Sequence, residues 1–127
     1  MKKYPDITKE QFKMIVDWDQ DKPIQMLNLL KFKVKVEGTE TSGAAQYKNY
    51  MKAAMPFLQQ ANAKVLYYGS PELSIIGPLE SEWHKVLIVE YAHKSHFLNM
   101  IKAPAYPAHL RAAAIEDSRL ILCTSES

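Results

Sequence analysis

Residues 83–91 read WHKVLIVEY, and the fold turns on this stretch. It is nine residues long and rich in β-branched and aromatic side chains, the makeup of a strand. Yet it does not alternate apolar with polar, as a strand with one wet face does. Val86 and Ile88 point one way, Leu87 and Val89 the other, and all four are apolar. Residues 24–32, IQMLNLLKF, behave alike. Met26, Leu30 and Phe32 share a side with Asn28, and Leu27 and Leu29 take the other. Their length and sharp boundaries mark a second strand. Residues 118–124, SRLILCT, set Leu120 and Leu122 against Ile121 and Cys123 in a third.

Working outward from these strands, residues 44–60 form a helix. Ala44, Tyr47, Met51, Ala54 and Leu58 recur on one face, Pro56 bends the last turn and Asn62 ends it. Lys64–Tyr68 is a short strand. Gly69, Pro71 and Gly77-Pro78 punctuate a further extended piece, Leu73–Ile76. A helix over about 95–102 carries Phe97, Leu98 and Ile101. Pro104 and Pro107 restart the chain into a short helix over 108–115. Ahead of all this, Thr8 with Gln11 three residues on has the spacing of a capping box, and Phe12, Ile15 and Val16 make the stripe of an N-terminal helix. Residues 33–43 are a strand end that runs into a loop. The order after residue 22 is strand, helix, strand, strand, helix, strand. That is the α+β ferredoxin-like βαββαβ plan, with residues 1–22 as a helical extension and 23–127 as the domain.

The 127 residues suit one domain, and 47% hydrophobic with 24% charged residues excludes disorder as the main state. No apolar run reaches the roughly 18 residues of a membrane span. The basic start, Met1-Lys2-Lys3, leads into a polar helix and not a signal core. A single cysteine, Cys123, agrees with a reducing compartment, so the cytoplasm is expected. A net charge of +2 is too weak a field to argue for nucleic acid. No phosphate loop, nucleophile elbow or dinucleotide fingerprint is present.

Two helices cover one face of a four-stranded sheet. The apolar second face needs a partner, and the simplest is a second copy packed face to face, an isologous homodimer. Leu87 and Ile88 lie on opposite faces. The period of two does not say which of them meets the partner.

The segments MLNLLKF (26–32), Ser42-Gly43, Tyr47, Tyr50, Gly69, IIGP (75–78), Glu82-Trp83, VLIVEY (86–91), FLNM (97–100), Ala105-Tyr106 and HLRAAAIEDSRLIL (109–122) resemble a bacterial family catalogued as a domain of unknown function, number thirteen-thirty. The resemblance covers roughly 23–123. It implies a dimeric α/β barrel, whose superfamily holds cofactor-independent monooxygenases, muconolactone-type isomerases, haem-degrading enzymes and ligand-sensing domains. Where that family tends to follow the tryptophan with an acid, this chain has His84.

Several residues are candidates for a site. Asn28, an amide amid apolar neighbours, either binds a ligand carbonyl or oxyanion or pairs with nearby backbone or a tyrosine hydroxyl. Tyr47 and Tyr50 share a helix face, and with Tyr91, Tyr106 and Trp83 they line a small-molecule pocket or complete the core. Arg111 either holds a carboxylate or enolate or forms a salt bridge to Glu116, Asp117 or a partner subunit. His109, an imidazole suited to taking a proton, is the candidate catalytic base. His84, His93 and His96 lack the ligands that would complete a metal site, so no metal is expected. By analogy with the haem-degrading branch, Asn28 and Trp83 with His93 or His96 form a candidate trio. Lys31, Lys33 and Lys35 read as a protected strand edge. The central strands lack the stacking aromatics of an RNA-recognition domain. No cofactor is expected. Two functions remain open: a cofactor-independent oxygenase or isomerase acting on a small organic acid or activated aromatic, and a non-catalytic ligand-binding or stress-associated dimer.

Overall fold

A computed structural model describes residues 2–80 and 82–126. In chain order its elements are α1 (Lys9–Asp17), β1 (Ile24–Phe32), α2 (Gly43–Gln60), β2 (Lys64–Gly69), β3 (Lys85–Tyr91), α3 (Lys94–Lys102), α4 (Ala108–Ala114) and β4 (Ile115–Cys123). The four strands form one antiparallel sheet in the order β2-β3-β1-β4. This is the ferredoxin-like order, with the non-consecutive β1 and β3 at its centre.

Local chemistry sets the helix ends. Thr8 Oγ1 accepts the Gln11 backbone N–H at 3.1 Å, and Ser42 Oγ accepts that of Ala45 at 3.0 Å. His93 caps α3, its Nδ1 accepting the Ser95 N–H. Asn62 follows α2 at φ 53°, a left-handed position that asparagine tolerates after a helix. Lys94 donates to the Ile15, Val16 and Trp18 carbonyls, so the first residue of α3 holds the free C-terminal end of α1.

The pairing register separates the two faces, because directly opposed residues share one. Met26 opposes Val89 and Leu122, and Asn28 opposes Leu87 and Leu120. These rows face the helices. Ile24, Met26, Leu87, Val89 and Tyr91 are buried there with Leu58 of α2 and Phe97, Leu98 and Met100 of α3. A second cluster joins Leu30, Tyr47, Tyr50, Ala54, Ala114 and Ile115. On the other face Leu27 lies between Ile88 and Ile121, with Tyr67 beyond Ile88. Leu29 lies between Val86 and Arg119. Gln25 bonds Glu90 at one end of this face, and Lys31 opposes Asp117 at the other. It is thus an apolar centre with polar ends, and Ile88, not Leu87, points away from the helices.

The structure departs from the sequence reading at five places. Leu73–Ile76 is not a strand but part of the loop joining β2 to β3, with Ile75 84% and Ile76 97% exposed. Trp83 and His84 precede β3. Gly43, not Ala44, takes the inward position at the start of α2, because the chain there passes too close to Lys33 and Ala114 for a side chain. Lys33 and Lys35 lie in the loop after β1, and only Lys31 of that trio is in a strand. Phe12 and Ile15 of α1 pack against the core with Trp18, the residue that ends the helix, while Val16 is exposed.

Candidate functional site

The predicted tyrosines gather between the sheet and the helices. Tyr47 and Tyr50, one turn apart on α2, have ring centroids 5.3 Å apart. Tyr50 meets Tyr106 edge-on at 6.2 Å, and their hydroxyls share a short hydrogen bond. Tyr106 meets Phe57 edge-on at 5.7 Å, and Tyr91 meets Phe97 at 5.5 Å. Burial pushes the Tyr47, Tyr50, Tyr91 and Tyr106 hydroxyls well above the ordinary tyrosine range. The neighbouring Tyr50 hydroxyl adds to this at Tyr47, Tyr91 and Tyr106. The Arg111 guanidinium pulls the other way on Tyr47, Tyr50 and Tyr106, so it stands within electrostatic reach of the cluster. All four hydroxyls are neutral near pH 7, and the Tyr50–Tyr106 pair is already satisfied.

The other candidates are placed as follows. Asn28 is 8% exposed, and its Nδ2 donates to the carbonyls of Met26 and Leu87, both at 3.3 Å. Arg111 Nη1 donates to the Pro5 carbonyl at 3.3 Å. His109 is exposed on α4. Trp83 stands outside the tyrosine cluster, where the Arg119 guanidinium lies 5.2 Å from its ring and 4.9 Å from that of Tyr4. His93 Nε2 is 3.4 Å from Asp21. Among the described residues no group of three or more His, Cys, Asp or Glu side chains could hold a metal ion.

Two surface clefts lie elsewhere. One, of about 190 Å³, runs between the end of α2 and α3, lined by Phe57, Gln60, Asn62, His96 and Asn99 among others. His96 Nδ1 is buried there without a hydrogen-bond partner among the described residues. The other, of about 400 Å³, opens where β1 ends, β3 begins and α2 starts. Phe32, Lys33, Val34, Ser42, Ala44, Ser70, His84 and Lys85 line it. Its construction follows from the backbone. His84 N–H donates to the Leu30 carbonyl at 2.7 Å, and Phe32 N–H donates to His84 Nδ1 at 3.0 Å. The neutral ring therefore carries its proton on Nε2. Gly43 N–H donates to Lys33 O, and Lys33 N–H to Ala114 O, both at 2.9 Å, which fixes the far wall. Lys85 Nζ donates to Ser70 Oγ at 3.2 Å and lies 4.9 Å from the centre of the Tyr68 ring. Phe32 stacks on Tyr47 at 5.2 Å and on His84 at 5.8 Å, so the tyrosine cluster backs the cleft floor.

Solved structures share this fold. The chain is 36% identical to methylated RPA0582, with a TM-score of 0.92 over 100% of this chain and 98% of that one. A second structure, of RPA0582 from Rhodopseudomonas palustris, is a protein of unknown function, again 36% identical, with a TM-score of 0.91 over 99% of both chains. The chain belongs to the RPA0582 family. Likeness to SnoaB, a cofactor-independent oxygenase from Streptomyces nogalater, is 14% identity and a TM-score of 0.51 over 84% of this chain and 95% of that one. A dimeric protein of unknown function and ferredoxin-like fold from Bacteroides fragilis matches at 14% and 0.53 over 84% and 98%. These two likenesses show the fold. No family model and no curated protein matches the chain.

In this member of the RPA0582 family, sequence reading placed no site at the larger cleft. The sequence groups Lys33 with Lys31 and Lys35, and His84 with His93 and His96, and assigns no site role to Ser42, Ser70 or Lys85. They come from four separate stretches of chain, and only the strand register joins them. One signal was available: two small polar residues, Ser42 and Ser70, each border a glycine, at the mouths of loops that flank the central strands.

Proposed function

We propose that the protein is a homodimer that binds a small organic acid with an unsaturated or aromatic body. The observation that carries this is the larger cleft, which Lys33 and Lys85 line together with Phe32, whose ring packs against Tyr47. Its volume, about 400 Å³, is in the range of small-molecule sites. Two ammonium groups attract a carboxylate, the Ser42 hydroxyl and the His84 Nε2–H add donors, and the Phe32 ring takes the apolar body. The helix-free sheet face, with Leu27, Leu29, Val86, Ile88 and Ile121 at its centre and polar groups at its ends, has the anatomy of a protein interface and supports the dimer. A dimeric protein shares the fold. The cytoplasm is the proposed compartment, supported by the unpaired Cys123. No helix among the described residues is long and apolar enough to cross a membrane.

Binding is favoured over turnover. An oxygenase or isomerase that works without a cofactor needs a group to take a proton from its substrate. The buried tyrosines are held neutral and Tyr50 is paired to Tyr106, while His109 is exposed on α4.

Benzoate and cinnamate titrations followed by NMR test this. The expected result is shifts at Phe32 and His84, no binding by the neutral amides, and about tenfold weaker binding in Lys33→Ala/Lys85→Ala, roughly 1.4 kcal/mol from two partly exposed cations. Equal affinity for acids and amides would overturn the cleft reading. Loss of binding in Arg111→Ala, with the lysine variant silent, would move the acid to the tyrosine cluster.

A further inference from the structure

We propose that β2 and the loop segment 71–80 after it form an arm that lies across the second copy of this chain, an inference that rests on the homodimer proposed above. Every large apolar side chain from 65 to 79 is exposed. Val65, Leu66, Tyr67 and Tyr68 are 42–52% exposed, and Leu73, Ile75, Ile76 and Leu79 are 81–97% exposed. Soluble chains blunt an edge strand with charges, proline or a cover. Here the edge has one irregularity, at Leu66, and runs into four more apolar side chains that lie almost wholly exposed. A contiguous apolar surface of this kind marks a protein contact.

Three features select a second copy as the occupant. The arm is continuous with the proposed interface: Tyr67 opposes Ile88 on the helix-free face, and Gly69, where the arm departs, opposes Val86 on that face. Its reach is sufficient. Ten residues going out and back extend about 15 Å, more than the roughly 10 Å between packed sheets. Its charge is complementary to the rest of the chain. Its loop residues 71–80 carry Glu72 and Glu80 and no lysine or arginine, and β2 adds Lys64, a net of −1 for the arm; the whole chain is +2, so the remainder is +3. An acidic, apolar arm thus meets a basic body when two copies pair.

Sedimentation velocity over a dilution series, on wild type and Ile75→Ser/Ile76→Ser, tests the arm. These side chains touch little in their own subunit, so the variant is expected to keep the wild-type far-UV circular dichroism spectrum. Two buried isoleucines leave from each copy, so the dimer dissociation constant is expected to rise at least 100-fold. Hydrogen exchange on the wild type supplies a second measurement: amides of 71–80 are expected to be protected in the dimer and to lose protection on dilution to monomer. A wild-type dimer whose constant moves less than threefold in the variant, or whose 71–80 amides exchange alike in dimer and monomer, overturns the arm and leaves the dimer standing. A wild type that is monomeric at 100 μM overturns both.

Discussion

Replacing Gly43 with alanine adds one methyl group where the chain passes close against its own backbone. A Cβ there would stand 2.3 Å from Lys33 O, 2.7 Å from Lys33 N and 2.7 Å from Ala114 O. All three are backbone atoms, so no side chain can swing aside to make room. The start of α2 must move away from the end of β1 and the end of α4 by about 1 Å. That disrupts the hydrogen bonds from Gly43 N–H to Lys33 O and from Lys33 N–H to Ala114 O. Losing or stretching these two bonds costs roughly 1–3 kcal/mol, and overpacking strain adds about 1–3. Glycine to alanine at an unhindered helical position stabilises by about 0.4–1 kcal/mol, which offsets little of this. The net is a loss of about 3 kcal/mol. With an unfolding entropy of roughly 0.27 kcal/mol/K for 127 residues, the melting temperature falls by about 10 °C at fixed protein concentration. Differential scanning calorimetry reads this, with exposed Ala44→Ser as a control expected within about 2 °C of wild type. Because Lys33 and Ser42 are walls of the larger cleft, benzoate binding should weaken in the same variant. A Gly43→Ala protein that melts within 2 °C of wild type would refute the claim that backbone contact, not preference, places a glycine there.

Four further outcomes are expected. Ile88→Lys puts a charge at the centre of the helix-free face and should dissociate the dimer, seen by light scattering, with little loss of monomer stability, while Leu87→Ala, 5% exposed beneath the helices, should cost about 2–5 kcal/mol of stability in urea titrations. Stability should fall as pH rises above about 10: the unfolded chain then releases protons from Tyr47, Tyr50 and Tyr91, which their burial in the native state retains, so the slope is negative by up to about 1.4 kcal/mol per pH unit for each tyrosine. Tyr50→Phe leaves the Tyr106 hydroxyl without its partner and should lower stability by about 1–2 kcal/mol by chemical denaturation. Dialysis against a chelator should leave the melting temperature unchanged.

The amino-acid sequence by itself determined the elements and their order. Runs such as IQMLNLLKF and WHKVLIVEY announce strands through local composition, and Thr8, Asn62 and Pro107 mark helix ends through backbone chemistry that needs no distant partner. It also determined that the central strands are apolar on both sides, and so that one face of the sheet requires cover. The tertiary structure decided which face. A pattern with period two is symmetric under a shift of one residue, so only the register with β1 and the position of the helices send Leu87 inward and Ile88 outward. Its packing also left a run of apolar residues, 73–79, in an exposed loop instead of a strand, since no strand among the described residues pairs with the segment. The tyrosines were legible as a group because two sit one turn apart on α2, but the Tyr50–Tyr106 bond spans 56 residues and depends on where α2 and the turn before α4 meet. The lysine-lined cleft was illegible for the same reason. Its walls come from residues 32–34, 42–44, 70 and 84–85, which one-dimensional spacing keeps apart and strand pairing brings together.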